Sequence, residues 1–286
     1  MNRVFCANMM RLKKNKLFWL GIVLIAGYGI FNCCSVYRMM QKYGDAEGGA
    51  YPLDNCLLTF MPVIGIVLSV VISMYLGTDY SDGTIRNKIM AGKSRNSIYT
   101  ANFLTCSVIG VATYCFGLLS VALVGTPLLG GIQEAPLTVA ILLADGVLMV
   151  LANAAIFNMI AMLASNKAHG AVISILAAFG LLFLSIYIFN VLSQPEMVEE
   201  LVMSVEEQMP AEQIPEHLQK VKNPRYVGGL KRKFYEFLTD LLPSGQGIQL
   251  ASFVAAHSCR MAGCSVAVAA VFHVAGSMIF RKKNIK

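Results

Sequence analysis

Few residues in this 286-residue chain have types and spacings that could do chemistry. Gly92-Lys93-Ser94 looks like the end of a phosphate-binding loop. Such a loop needs Gly-x-x-x-x-Gly-Lys-Ser/Thr after a strand, because successive backbone N–H groups must surround the phosphates. Asn87 stands where the first glycine should be, and no strand pattern precedes it. The chain is therefore not expected to hydrolyse ATP by itself. No His-Glu-x-x-His, Gly-x-Ser-x-Gly or other nucleophile constellation occurs. The eight cysteines form no Cys-x-x-Cys pair, so no metal site is expected and buried thiols are favoured over a disulfide framework. Two groups of residues remain. One is a set of polar side chains inside apolar runs: Asp145, Asn153, Asn158 and His273. The other is a polar, basic elbow from Gly77 to Arg95.

The elements that must position these residues are membrane helices. The chain is 56% hydrophobic and 14% charged, with a mean hydropathy of +0.62. Soluble domains carry about a quarter charged residues. A helical crossing takes about 20 mostly apolar residues. Residues 17–36, 57–76, 101–125, 170–192 and 261–280 carry no charge, and 137–165 carries only Asp145. The expected fold is an all-α integral membrane protein with six transmembrane helices. Barrel strands would be short and alternating. A cleaved signal peptide is not expected, because the first run is too long and no clear cleavage signal follows.

Lysine and arginine set the orientation. Arg3, Arg11, Lys13, Lys14 and Lys16 precede span one, and Arg86, Lys88, Lys93 and Arg95 separate spans two and three. Lys167 lies between spans four and five, and Arg281, Lys282, Lys283 and Lys286 follow span six. The opposite short loops carry Arg38 and Lys42, then none. This positive-inside pattern places both termini in the cytoplasm. The net charge of +7 then records topology and attraction to anionic lipid, with no nucleic-acid partner implied.

Residues 1–16 read as a basic amphipathic helix in the inner interface, with Phe5, Met9 and Leu12 as its apolar stripe and Arg11 and Lys14 off it. Residues 17–192 hold spans one to five, with the polar elbow at 77–97. Residues 193–257 form an extracytoplasmic insert, expected to be helical. Its first helix would start at Ser193 with Glu196 in the capping-box position, and bury Val198, Leu201, Val202, Val205 and Met209. Pro210, Pro215 and Pro224 interrupt it. A second helix follows Gly228-Gly229, with Leu230, Phe234, Phe237, Leu238, Leu241 and Leu242 at helical spacing. These two helices can pack on each other or on the outer membrane surface. Gly245 and Gly247 argue against a simple straight helix from residue 242, which favours a re-entrant or interfacial segment. Residues 258–286 hold span six and a basic tail.

The elbow reads Gly77-Thr-Asp79-Tyr80-Ser-Asp82-Gly83-Thr84-Ile85-Arg86-Asn87-Lys88-Ile89, then Met-Ala-Gly92-Lys93-Ser94-Arg95. Gly83 permits a left-handed turn. Thr84 can cap a short helix from Ile85, Gly92 can end it and Ser94 can start the next. Ile85, Ile89 and Met90 would form an apolar edge, with Arg86 and Lys88 exposed. On composition alone this is a solvated basic loop. Asp79-Tyr80, then Gly-Thr-Ile-Arg-Asn-Lys, then Gly-Lys-Ser-Arg, resembles the permeases of type-2 ATP-binding-cassette exporters, with the bacitracin and lantibiotic self-protection branch nearest in flavour. Asp79 stands where that family commonly has Glu, which shortens its reach. Leu-Pro-Ser-Gly-Gln before the last span is similar to the family's Leu-Pro-Thr-Gly-Gln, which singles out Pro243, Gly245 and Gln246.

The resemblance implies a permease in the bacterial cytoplasmic membrane that binds no cofactor directly. ATP and Mg would act in a separate ATPase partner, and a second permease copy, identical or different, would complete the transporter. It also implies that the elbow docks on the ATPase through Asp79, Tyr80, Gly83, Thr84, Arg86, Asn87, Lys88 and Arg95. Arg86 could meet acidic groups of the ATPase, while Asp79 could pair locally with Arg86 or Arg95. Asp145, Asn153 and Asn158 are candidates for a substrate path or gate, or for hydrogen bonding inside the bundle. His273 reads as a packed residue. A membrane sensor or scaffold, and an ion-driven transporter, are the competing functions. The second would need paired ionisable groups at mid-membrane and repeats, and neither is found.

Overall fold

The computed structural model describes residues 2–43, 53–164, 166–201, 218–253 and 257–283. Among them, six helices are long and apolar enough to cross a membrane. An initial helix, α1 (Asn2–Lys13), leads into the first, α2 (Lys16–Tyr43). A single turn, α3 (Asp54–Leu57), precedes α4 (Met61–Ser81). The elbow holds α5 (Thr84–Met90), and then come α6 (Arg95–Leu129), α7 (Pro136–Leu163) and α8 (Lys167–Leu192). After strands β1 (Met197–Leu201) and β2 (Leu218–Lys222) come α9 (Gly229–Leu241), α10 (Pro243–Ala251) and the last long helix, α11 (Ser258–Lys282).

Helices α4, α6 and α7 pack on one another at the centre. Each remaining long helix lies over two of them: α2 over α6 and α4, α8 over α4 and α7, α11 over α7 and α6. The central helices carry most of the buried apolar side chains, among them Ile64, Leu68, Ile109, Val150 and Phe157. The outer helices present Trp19, Val23, Phe31, Leu176, Phe183 and Val271 outward. Such apolar outer faces belong in lipid, where association relies on close packing instead of hydrophobic exclusion. Gly117 illustrates this: a Cβ there would stand 2.9 Å from both Ile25 and Phe60 side chains, so its absence lets α2 and the start of α4 close on α6.

The insert differs from its expected form. Residues 197–201 are a strand, paired antiparallel with 218–222 so that Glu199 faces Lys220 in register. Ser193 ends α8 instead of starting a helix. Strand pairing with a distant segment overrides the local capping signal, because β structure is decided by cross-strand neighbours. Val202, Val205, Met209, Pro210 and Pro215 lie outside the described residues. The second expected helix is α9. A helix does start after Leu242, whose extended backbone breaks the chain between α9 and α10. The α10 glycines serve contact: a Cβ on Gly245 would stand 2.5 Å from the Thr239 carbonyl oxygen, and one on Gly247 would stand 3.0 Å from that of Met61.

Candidate functional site

At the far end of α4, Asp79 is fully buried. Its carboxylate meets the Arg11 guanidinium from α1 on one side, and the Lys88 ammonium from α5 stands 3.2 Å away on the other. Arg11 also lies 4.1 Å over the Tyr75 ring. Asn8, on α1, completes the cluster. Its Oδ1 accepts from Lys88 Nζ at 3.0 Å, and its Nδ2 donates to Asn102 Oδ1 at 2.7 Å and to Thr105 Oγ1 at 3.3 Å on α6. Tyr75 donates its hydroxyl to the Asn8 carbonyl at 2.9 Å. A buried carboxylate is tolerated when paired and hydrogen-bonded, and here one anion holds cations from two other helices. Burial, then the nearby Arg11 charge, pushes the Lys88 ammonium down to about 8.

The cluster fixes α5. Gly83, at φ 66°, turns the chain back under α4, and Ile85 is buried. Lys88 and Ile89 follow Ile85 at helical spacing and face inward. Arg86, Asn87 and Met90 form the opposite, exposed face. Gly92, also left-handed, ends the elbow, and the Ser94 hydroxyl accepts from the Ser97 amide at 3.3 Å to open α6.

Several expected placements change. Asp79 pairs with Arg11 and Lys88, not with Arg86 or Arg95. Lys88 is half-buried instead of exposed, and of the expected apolar edge Ile85 and Ile89 face inward while Met90 is exposed. Thr84 is the first residue of α5, with Gly83 in the capping position. The buried face of α1 is Val4, Asn8 and Leu12; of the expected stripe Leu12 is buried, Met9 packs half-buried against the core, and Phe5 is half-buried. Asn8 escapes a reading by apolar stripe, although an amide four residues from both Val4 and Leu12 marks it as facing inward. Arg95 donates to the carbonyls of Arg281 and Lys283, at 2.8 and 2.6 Å, and so ties α6 to the end of α11. Tyr80 turns away from α5 and donates to the Met162 carbonyl at the end of α7.

The polar groups within the bundle meet different neighbours. Asn153 donates to Met149 in its own helix at 3.3 Å and lies beside Gly65 of α4. Asn158 faces α6, with its Oδ1 3.8 Å from Cys106 Sγ. Asp145 is buried beside Ser258 at the start of α11, and among the described residues its Oδ2 has no hydrogen-bond partner within normal distance. His273 packs between Tyr99 and Phe103, with ring centroids at 5.5 and 4.7 Å.

The outer motif is a structural clamp. Pro243 starts α10. Gln246 is buried and its Nε2 donates to the carbonyls of Asp240 and Met261, at 2.5 and 3.2 Å, while its Oε1 accepts from Ser265 Oγ at 2.6 Å. Asp240 pairs with Arg260. These contacts knit α9, α10 and α11 together. No group of three or more metal-ligating side chains occurs among the described residues.

A family model described as "ABC-2 family transporter protein" matches residues 5–203, a span that includes most of α1, the Asp79 cluster and the elbow. No curated protein matches the chain. With six helices able to cross a membrane and more than half its length matched, the chain belongs to the ABC-2 family of transporter proteins, as a multi-pass permease subunit of an ABC transporter.

Proposed function

We propose that this permease is driven by a separate ATPase subunit that docks on the exposed face of α5. The observation that carries the reading is the Asp79 cluster. It anchors a seven-residue helix to α1 and α4 from its inner side, and so presents Arg86, Asn87 and Met90 outward as one patch. A mixed basic and apolar patch on a braced helix suits a partner with acidic groups around an apolar cleft. The positive-inside distribution supports a cytosolic position for this patch and for both termini, and the proposed membrane is the bacterial cytoplasmic one. ATP and Mg are then handled by the partner. A second permease copy completes the transporter, and the direction is export. The cargo class is an amphiphile, such as a peptide antibiotic or a lipid, moved across or out of the membrane.

The test is co-purification of the permease with its cognate ATPase from detergent. Arg86→Ala should lose the ATPase while keeping the wild-type melting temperature. Asp79→Asn should lose both. Retention of the ATPase by both variants contradicts docking at α5.

A further inference from the structure

Lys283, one residue past α11, reaches across the base of the bundle. Its Nζ donates to the carbonyls of Leu163 at 2.9 Å and Met162 at 3.2 Å, and to the Tyr80 hydroxyl at 3.3 Å. An ammonium has three protons, and here all three have acceptors. The same group lies 4.7 Å from the centre of the Tyr80 ring. The Met162 carbonyl also receives the Tyr80 hydroxyl. Carbonyls at a helix end have no partner within the helix and carry partial negative charge, so a cation there is favoured twice. The Lys283 backbone is held in turn by Arg95, through its carbonyl at 2.6 Å.

Asp79 and Tyr80 are consecutive on α4, yet they serve opposite neighbours. Asp79 holds α1 and α5, and Tyr80 holds the ends of α7 and α11 through Lys283. A displacement of α5 reaches the end of α4 through Asp79 and reaches α6 through Asn8. From the end of α4, the ties to α7 and α11 through charged or hydroxyl groups, among the described residues, are those of Tyr80 and Lys283.

We propose that Lys283 is a positioning residue that transmits movement of the docked elbow to α7 and α11. This deepens the docking reading and rests on it. Lys283 touches neither cargo nor ATPase. It keeps Tyr80 and the α7 end moving as one body, so that α4 drives α7 instead of sliding past it. Sliding would leave the α7 end without its cation and would strand the Tyr80 hydroxyl.

The test is hydrogen exchange of the permease–ATPase complex in lipid nanodiscs, with and without Mg-ATP and vanadate. In the wild type, trapping should change exchange in α1, α5 and the ends of α7 and α11 by about threefold or more. Lys283→Met should keep the complex and the change in α1 and α5, and lose the change in α7 and α11. Lys283→Arg should restore it. If Lys283→Met responds like the wild type, or if it loses the complex or the α5 response, Lys283 is not a transmission residue. If Lys283→Met does not accumulate, Tyr80→Phe takes its place, with the same result expected and the same results overturning the proposal. If the wild type itself neither binds the ATPase nor responds in α5, the docking reading falls and this proposal with it. A wild-type response matched by the variant removes this proposal alone.

Discussion

Asp79 and Lys88 are nine residues apart, on two helices separated by the left-handed Gly83, and their charged groups stand 3.2 Å from each other. The pair closes the elbow on itself. With Arg11 on its other side, the Asp79 carboxylate makes the base of α4, α1 and the elbow one unit. That unit, and the packing that supports it, set the behaviour expected of variants.

Asp79→Asn leaves two cations facing a neutral amide. Removing one partner of a buried ion pair costs about 3–5 kcal/mol, and Arg11, a third exposed, can recover part by turning to water. The expected loss is about 2–3 kcal/mol, read as a lowered melting temperature in detergent. Asp79→Glu keeps the charge and has a longer reach, and should lose less. An unchanged Asp79→Asn melting temperature would contradict the clamp.

Asn8→Ala removes one acceptor and two donors' worth of contacts from α1. Lys88, Asn102 and Thr105 each lose a partner, with an expected loss of about 1–3 kcal/mol. A double-mutant cycle between Asn8→Ala and Lys88→Met should show coupling of about 0.5 kcal/mol or more. Additive effects would mean that the two do not act together.

Lys88 has its folded value at about 8 against an ordinary 10.5. Between these values the unfolded chain holds more protons at this position than the folded one, so this residue's contribution to stability rises with pH through the window. Below about 8 its burial cost is fully present. Lys88→Arg stays charged throughout. The wild type should therefore gain on Lys88→Arg in melting temperature from about pH 7 to about pH 9.5. A constant difference would contradict it.

Gly245 and Gly27 make a matched pair. A Cβ at Gly245 would press on the Thr239 backbone, while one at Gly27 meets nothing within 4 Å. Gly245→Ala should destabilise by about 1–3 kcal/mol, because backbone cannot easily give way. Gly27→Ala should be neutral or gain up to about 1 kcal/mol from helix propensity. Similar melting temperatures for the two variants would show that α10 does not pack closely on α9.

Much of the architecture is legible in the sequence because the membrane makes a strong demand: every span needs a long apolar run. The elbow's turns are legible too, since Gly83, Gly92 and Ser94 act locally. The pairing of Asp79 is not, because Arg11 and Lys88 look like two more members of a positive-inside set. Only the fold reveals that they converge on a single anion. Asn8 is hidden among apolar neighbours, and its role depends on α6, some ninety residues away. The strand at 197–201 carries no local sign of itself, because the apolar residues from Val198 to Met209 repeat at helical spacing and its partner at 218–222 lies beyond Pro210 and Pro215. Tyr80 and Arg95 belong to the elbow motif, yet they hold the bundle instead of facing outward.

The central claim is that α5 meets the ATPase through its outer face. A photo-crosslinking amino acid placed in turn at positions 85 to 90 of the permease, in the assembled complex, tests it most directly. Crosslinks to the ATPase from positions 86, 87 and 90, and none from 85, 88 and 89, are the expected result. Crosslinks without that periodicity, or none from any of the six, would contradict it.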